Sequence, residues 1–375
     1  MLEIPFNKPY FTGHETIYIE DAVAKGKISG NGYYTQKCQS FFQDRYGFEK
    51  SLLTTSCTDA LEMAAILSNI GPGDEVIIPS FTFVSTALAF VRQGATIVFA
   101  DSMWDNPNMD ANSLIALITE RTKAIVPVHY AGIPCDMDLI MDIARAHNII
   151  VIEDAAQAID ANYKGKPLGT FGDMACFSFH ETKNIICGEG GMLVVNNKDF
   201  VERAEIIWEK GTNRAQFFRG EVDKYTWVDT GSSFLPSEIN AAFLWAQLEN
   251  LDKIQQRRKE IWEAYNVGLE EWASSNGIEL MKVPIDSSNN GHMFYFICQS
   301  NKQRSSIIAY LKINGIMAVT HYISLHSSPY YGPNHDGRLL QNSDLFTDRL
   351  LRLPFFYDLD VKRVVDSIKS FSNVG

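Results

Sequence analysis

Residues 151–157 read Val-Ile-Glu-Asp-Ala-Ala-Gln, and residues 178–184 read Ser-Phe-His-Glu-Thr-Lys-Asn. Each stretch continues from an apolar run: Asp154 closes the first, and Lys183 follows the second. Short runs rich in Val and Ile are the pattern of strands buried on both faces. Strands of a parallel sheet present their carboxyl ends along one edge, where α/β proteins bind ligands. The two stretches therefore bring one acid and one lysine to the same edge. That pair suits pyridoxal phosphate, since a lysine can form a Schiff base with it and an acid can hold its pyridine nitrogen protonated, so that the ring acts as an electron sink. A lysine after an apolar strand and beside His180 is partly desolvated, which lowers its pKa and frees the amine. Taken singly, Asp154 also reads as a helix cap, and Lys183 as a solvent-exposed loop lysine.

Working outward, residues 75–78, 96–100, 124–128 and 149–152 read as strands, and 58–68, 83–92, 113–118 and 137–146 as helices. Ala60, Leu61, Ala64 and Leu67 fall on one helical face. This alternation predicts right-handed βαβ units and a mostly parallel sheet, an α/β fold. Residues 192–195 form a further strand, and 236–273 read as long helical material leading to a smaller part. There 293–298 is strand-like, 304–313 helical, 361–371 a last helix, and 327–345 a surface loop. The expected division is a large domain over 1–245, with the N-terminal segment, and a small α+β domain over 246–375.

The 375 residues carry a formal charge of -12, which argues against a nucleic-acid partner. A local anion site remains compatible with that charge. Six scattered cysteines without a CxxC pair speak against a zinc site or disulfide framework, and no metal is expected. Residues 1–6 lack a signal-peptide pattern, and no run approaches the roughly 20 apolar residues needed to span a bilayer. A soluble cytoplasmic protein is expected. There is no G-x-G-x-x-G after a strand, no Walker A sequence, no G-x-S-x-G elbow and no H-E-x-x-H.

Residues 54–60, Thr-Thr-Ser-Cys-Thr-Asp-Ala, open the first strong helix. Its capping hydroxyls and free N–H groups suit a phosphate, or simply an N-cap. Phe81 and Phe83 follow the 75–78 strand and can stack on a flat ring or belong to the core. His129-Tyr130 and His321-Tyr322 are structural or functional by the same count.

These residues, with Pro5-Phe6-Asn7, Ile28-Ser29-Gly30, Gly190-Gly191 and the stretch 210–214, give a set that resembles the DegT/DnrJ/EryC1/StrS family of sugar-nucleotide aminotransferases over nearly the full length. The resemblance implies the type I pyridoxal phosphate aminotransferase fold. It implies Lys183 as the Schiff-base lysine and general base, and Asp154 at the pyridine nitrogen. Gln157 and Phe83 would lie against the ring, with Thr58, the Asp59 N–H and Ser178 around the phosphate. It implies a homodimer with shared sites, in which Ser233 stands where many relatives place an Asn that reaches the partner's phosphate. For the sugar side it points to Ser29, Gly30, Tyr130, Arg214, His321 and Tyr322. The implied substrates are L-glutamate and a dTDP-linked 4-keto-6-deoxy sugar. Lys210, Arg214, Arg219 and Lys224 would face the diphosphate, or form a solvated charged face. A pyridoxal-fold regulatory protein without turnover is the competing class.

Overall fold

Aliphatic and β-branched runs, closed by turns, supply the central layer of the molecule. The computed structural model describes residues 3–371. The strands are β1 (Lys50–Thr54), β2 (Glu75–Pro79), β3 (Thr96–Ala100), β4 (Thr122–Ile125), β5 (Ile150–Asp154), β6 (Asn162–Tyr163), β7 (Lys166–Pro167), β8 (Met174–Ser178) and β9 (Gly191–Val195). In the C-terminal part lie β10 (Glu279–Leu280), β11 (Ser287–Ser288), β12 (Tyr295–Ile297) and β13 (Leu350–Arg352). Seven of them form the main sheet in the order β1-β9-β8-β5-β4-β2-β3. Only β9 runs against its neighbours; the other adjacent pairs are parallel. The mixed α/β architecture with a mostly parallel sheet is therefore present as the sequence predicts.

Helices cover both faces: α1 (Glu15–Ala24), α2 (Tyr33–Tyr46), α3 (Cys57–Leu67), α4 (Ser85–Val91), α5 (Leu114–Leu117), α6 (Met137–His147), α7 (Val201–Trp208), α8 (Arg214–Phe218) and α9 (Glu238–Leu248). The 25-residue α10 (Leu251–Ser275) then runs from the main-sheet core into a second core. Its Leu251 and Ile254 pack with the former, and its Ile261, Tyr265 and Leu269 with the latter. That second core surrounds the three-stranded sheet β10-β12-β13 with α11 (Asn301–Ile313), α12 (Gln341–Arg349) and α13 (Val361–Lys369).

Several details differ from the sequence reading, among them the absence from it of β1. The 236–273 stretch is two helices, and the expected boundary at 245/246 falls inside α9, whose Ala241, Leu244 and Leu248 pack with the main sheet. The expected loop 327–345 runs into α12, which begins at Gln341. Of the N-terminal segment, α1 and α2 pack with the main-sheet core, but its start is tied to the C-terminal part: the Met317 N–H donates to Ile4 O at 3.0 Å, and the Phe355 N–H to Phe6 O at 3.0 Å.

The parallel strands place their carboxyl ends along one edge. Ser56, Cys57 and Thr58 follow β1, Thr82 and Phe83 follow β2, Val128 follows β4, and Asp154 and Ser178 end β5 and β8. A side chain at Gly191 would sit 2.4 Å from Cys57 N. The glycine lets β9 pass directly against the start of α3.

Candidate active site

A cavity of about 440 Å³ opens over that edge. Asp154 and Lys183 line the same cavity, as do Thr58, Phe83, Gln157, Ser178, His321 and Tyr322. Eight of the residues singled out from sequence thus meet in one place.

Asp154 is almost fully buried, and burial pushes its carboxyl above the ordinary value of 3.8. The Thr86 hydroxyl donates to Oδ2 at 2.7 Å and the Ala156 N–H to Oδ1 at 3.2 Å, both opposing that shift. Thr86 Oγ1 lies 2.9 Å from Thr82 Oγ1. Since Thr86 spends its proton on Asp154, Thr82 donates to Thr86, and the two form a directed chain ending at the acid. Lys183 is half-buried and lines the cavity. Its backbone N–H donates to His180 O at 2.9 Å. Burial pulls its amine below the usual lysine value, opposed by the nearby Cys57 and Asp154. An acid raised and a lysine lowered by one environment are the signature of a site prepared for proton transfer.

Gln157 has a fixed amide. Its Oε1 accepts from the Ala131 N–H at 2.6 Å, so its Nε2 donates to the Tyr322 hydroxyl at 3.2 Å. Tyr322 then keeps its own proton for a ligand. The His321 ring stacks on Tyr322, with centroids 3.5 Å apart. Burial holds His321 well below its ordinary pKa, so it is neutral. Phe83 is 56% exposed although apolar, its ring 6.1 Å from that of Tyr322. An uncovered aromatic in a cavity wall suits a planar ligand.

The start of α3 supplies anion-binding groups. Ser56 caps the helix by accepting the Asp59 N–H at 3.0 Å. The expectation for Asp59 is corrected here: its N–H is already satisfied by Ser56, and its carboxylate accepts from Thr55. The N–H groups of Cys57 and Thr58, one step earlier, are the ones free of the helix's own bonding pattern. Thr58 Oγ1 lies 2.8 Å from Ser85 Oγ. A helix start with hydroxyls from Thr58, Ser85 and Ser178 has the chemistry of a phosphate cradle. A buried acid, an enclosed lysine, this cradle and a bare aromatic together fit pyridoxal phosphate.

The remaining candidates are not brought into this cavity within one chain. Tyr130 is buried behind it, its hydroxyl 2.6 Å from His321 Nδ1, so it supports His321 from the core. Gly30 and Arg214 line a second cavity of about 480 Å³. Ser29 is exposed beside Gly30, and Ser233 is exposed where its backbone bridges Glu209. Arg214 is paired with Glu209 at 3.5 Å, and Arg219 with Glu205 and Glu221, each at 2.7 Å. These two cations are already neutralised by carboxylates of their own chain, while Lys210 and Lys224 are exposed.

The sequence reading marked Phe6 and Asn7 without giving them a site role and left out His292 and Arg352; all four also line the main cavity. They come from the N-terminal segment and the second core, and only tertiary contacts bring them in. A lone charge in the apolar run Leu350-Leu351-Arg352-Leu353 is the one signal that could have marked Arg352.

Residues 11–369 match the model of the DegT/DnrJ/EryC1/StrS aminotransferase family, and the chain belongs to that family. The spore coat polysaccharide biosynthesis protein SpsC of Bacillus subtilis is 32% identical over 98% of this chain and 96% of its own. Among solved structures, the sugar aminotransferase Spr1654 of Streptococcus pneumoniae, described as putative and seen in its PMP-form, superposes with a TM-score of 0.89 at 27% identity over 98% of each chain. DesV of S. venezuelae, in complex with a ketimine intermediate, gives 0.89 at 30% identity, again over 98% of each chain. The fold is that of the type I pyridoxal phosphate aminotransferases, and pyridoxal phosphate is the family's cofactor.

Proposed function

We propose that this protein transfers the amino group of L-glutamate to dTDP-4-keto-6-deoxy-D-glucose, giving dTDP-4-amino-4,6-dideoxy-D-galactose for a cell-surface polysaccharide. The observation that carries the transaminase half of this reading is the meeting of Lys183 and Asp154 in one buried cavity at the carboxyl ends of adjacent strands. The sugar half is supported by the resemblance of residues 177–184, 210–214, 217–220 and 224–227 to dTDP-4-amino-4,6-dideoxygalactose transaminase. The polysaccharide role named for SpsC is in keeping with it.

When bound, pyridoxal phosphate supplies an electron sink and carries the amino group between the two substrates. Lys183 Nζ would hold it and, when free, would take and return a substrate α-proton, a task that a lowered pKa suits. Asp154, oriented by Thr86, would keep a proton at the pyridine nitrogen. The N–H groups of Cys57 and Thr58 and the hydroxyls of Thr58 and Ser178 would bind the phosphate. Phe83 and Gln157, on the cavity wall, would contact the ring. His321 and Tyr322 line the sugar's place and exclude water. Ser233, Ser29, Gly30 and Arg214, exposed or in a separate cavity of this chain, serve the site of a second copy in a homodimer.

The test is an assay of purified protein with pyridoxal phosphate, L-glutamate and dTDP-4-keto-6-deoxy-D-glucose, with the product's C4 configuration read by NMR. An axial amino group is the expected result. An equatorial one would move the product to the glucose configuration. No sugar product from a protein that converts glutamate would reject the sugar assignment.

A further inference from the structure

We propose that Arg352 binds a carboxylate of the amino donor. This rests on the aminotransferase reading above and names a residue for its first half-reaction. Arg352 ends β13, and its backbone is fixed by paired bonds with Val319, at 2.8 and 3.1 Å. Its neighbours Leu350, Leu351 and Leu353 are fully buried, so the strand aims the one charged side chain into the cavity wall.

The guanidinium has poor protein partners there. Nε and Nη2 reach only the Thr320 carbonyl, at 3.4 and 3.2 Å, and the group lies 4.7 Å over the Phe6 ring. Among the described residues, no carboxylate lies within ion-pair distance of it. Arg258 is also buried without an acid, but its donors close onto Gly291 O and His292 O at 2.9 and 2.7 Å. Arg352 instead lines the cavity with Nη1 and the second Nη2 proton free of protein acceptors. A desolvated guanidinium without an anion is costly, and a ligand that supplies the anion removes the cost. Burial holds the pKa of Arg352 down, opposed by Tyr130 and Tyr322 and by no carboxylate.

Position selects the anion. The cradle at the start of α3 and at Ser178 belongs to the central sheet, whereas Arg352 enters from the second core beside Phe6, His321 and Tyr322. Its charge is felt at Lys183 and at His321, after the larger effect of burial on each. The donor's amine reacts at Lys183, and its α-carboxylate hangs from the same carbon. A planar fork matches a carboxylate in two parallel hydrogen bonds. The diphosphate of a sugar nucleotide is held away from the reacting C4 by the sugar ring. In the second half-reaction the fork meets sugar hydroxyls, which are weaker acceptors, so its loss affects the donor far more than the sugar.

The experiment compares holoenzymes of wild type, Arg352→Gln and Arg352→Lys. Glutarate, a dicarboxylate that cannot react, is titrated calorimetrically. Conversion of the bound cofactor by L-glutamate is followed by absorbance without sugar, and binding of dTDP is measured separately. For Arg352→Gln we expect glutarate affinity to fall about 10- to 100-fold, the scale of lost charge-assisted hydrogen bonds. The glutamate concentration for half-conversion should rise in step, with dTDP binding unchanged. Arg352→Lys keeps the charge without the fork and should lose less. It carries the test alone if the Gln variant does not fold. Glutarate binding equal to wild type in the variants would overturn the proposal. So would a loss of dTDP binding with glutarate retained, which would give the guanidinium to the diphosphate. A wild type that takes no colour with pyridoxal phosphate would fail the proposed function itself, and this proposal with it.

Discussion

Asp154 and Lys183 are both moved toward neutrality by the same burial, and their effects on stability run in opposite directions with pH. Asp154 has a folded pKa above its unfolded value. The fold therefore gains from its proton at low pH and loses that gain as the pH rises past 3.8 through the folded value. Lys183 has a folded pKa below its unfolded value of 10.5, so its penalty is full at low pH and fades as the pH climbs through the folded value. Asp154→Asn should accordingly gain stability relative to wild type as the pH rises from acid to neutral, seen in melts of the cofactor-free protein. Its turnover should fall by about 10²-fold or more, the scale of a lost proton-transfer partner. A variant with wild-type turnover would remove Asp154 from the proposed mechanism. The chemistry of these two residues was legible in the sequence because an apolar strand followed by a polar residue dictates both place and environment. Arg352 and His292 were not, because their distance from Lys183 along the chain hides contacts that only the folded second core makes.

Among the elements, the edge that carries the site is held by a carboxylate outside the cavity. Glu153 is fully buried in β5 and accepts the N–H groups of Gly169, Phe171 and Gly172 at 2.7 to 2.8 Å, with His129 Nε2 at 3.0 Å. It ties the turn that feeds β8, and hence Ser178 and Lys183, to the strand that ends in Asp154. Glu153→Ala should cost about 3–5 kcal/mol by orphaning those donors, measured by urea unfolding. Glu238 does similar work for α2, accepting from Gly32, Tyr34 and Thr35 at 2.7 to 3.1 Å. Its place in α9 explains why a boundary drawn at 245/246 cuts a helix: amphipathic patterning runs unbroken through 236–273, and nothing in it marks where one core gives way to the next. β1 was missed for a related reason, since Lys-Ser-Leu-Leu-Thr lacks the Val and Ile that mark β2–β5 and β9.

At the scale of the whole molecule, the proposed dimer accounts for sequence-marked residues that one chain leaves outside its cavity. Phe218 and Trp227, in the same stretch as Arg214, are 70% and 79% exposed, an unusual state for large apolar groups in a lone chain. Light scattering should give twice the mass of one chain. Phe218→Glu should shift the protein toward monomer and weaken its hold on the cofactor together. A fully active monomer would separate these residues from the site.

The central claim is that Lys183 carries the cofactor beside Asp154. The direct measurement is borohydride reduction of the protein incubated with pyridoxal phosphate, followed by peptide mass spectrometry. The account predicts the added pyridoxyl mass on the peptide containing Lys183, and its loss in Lys183→Ala. A label on another lysine, or an unlabelled protein, would contradict it.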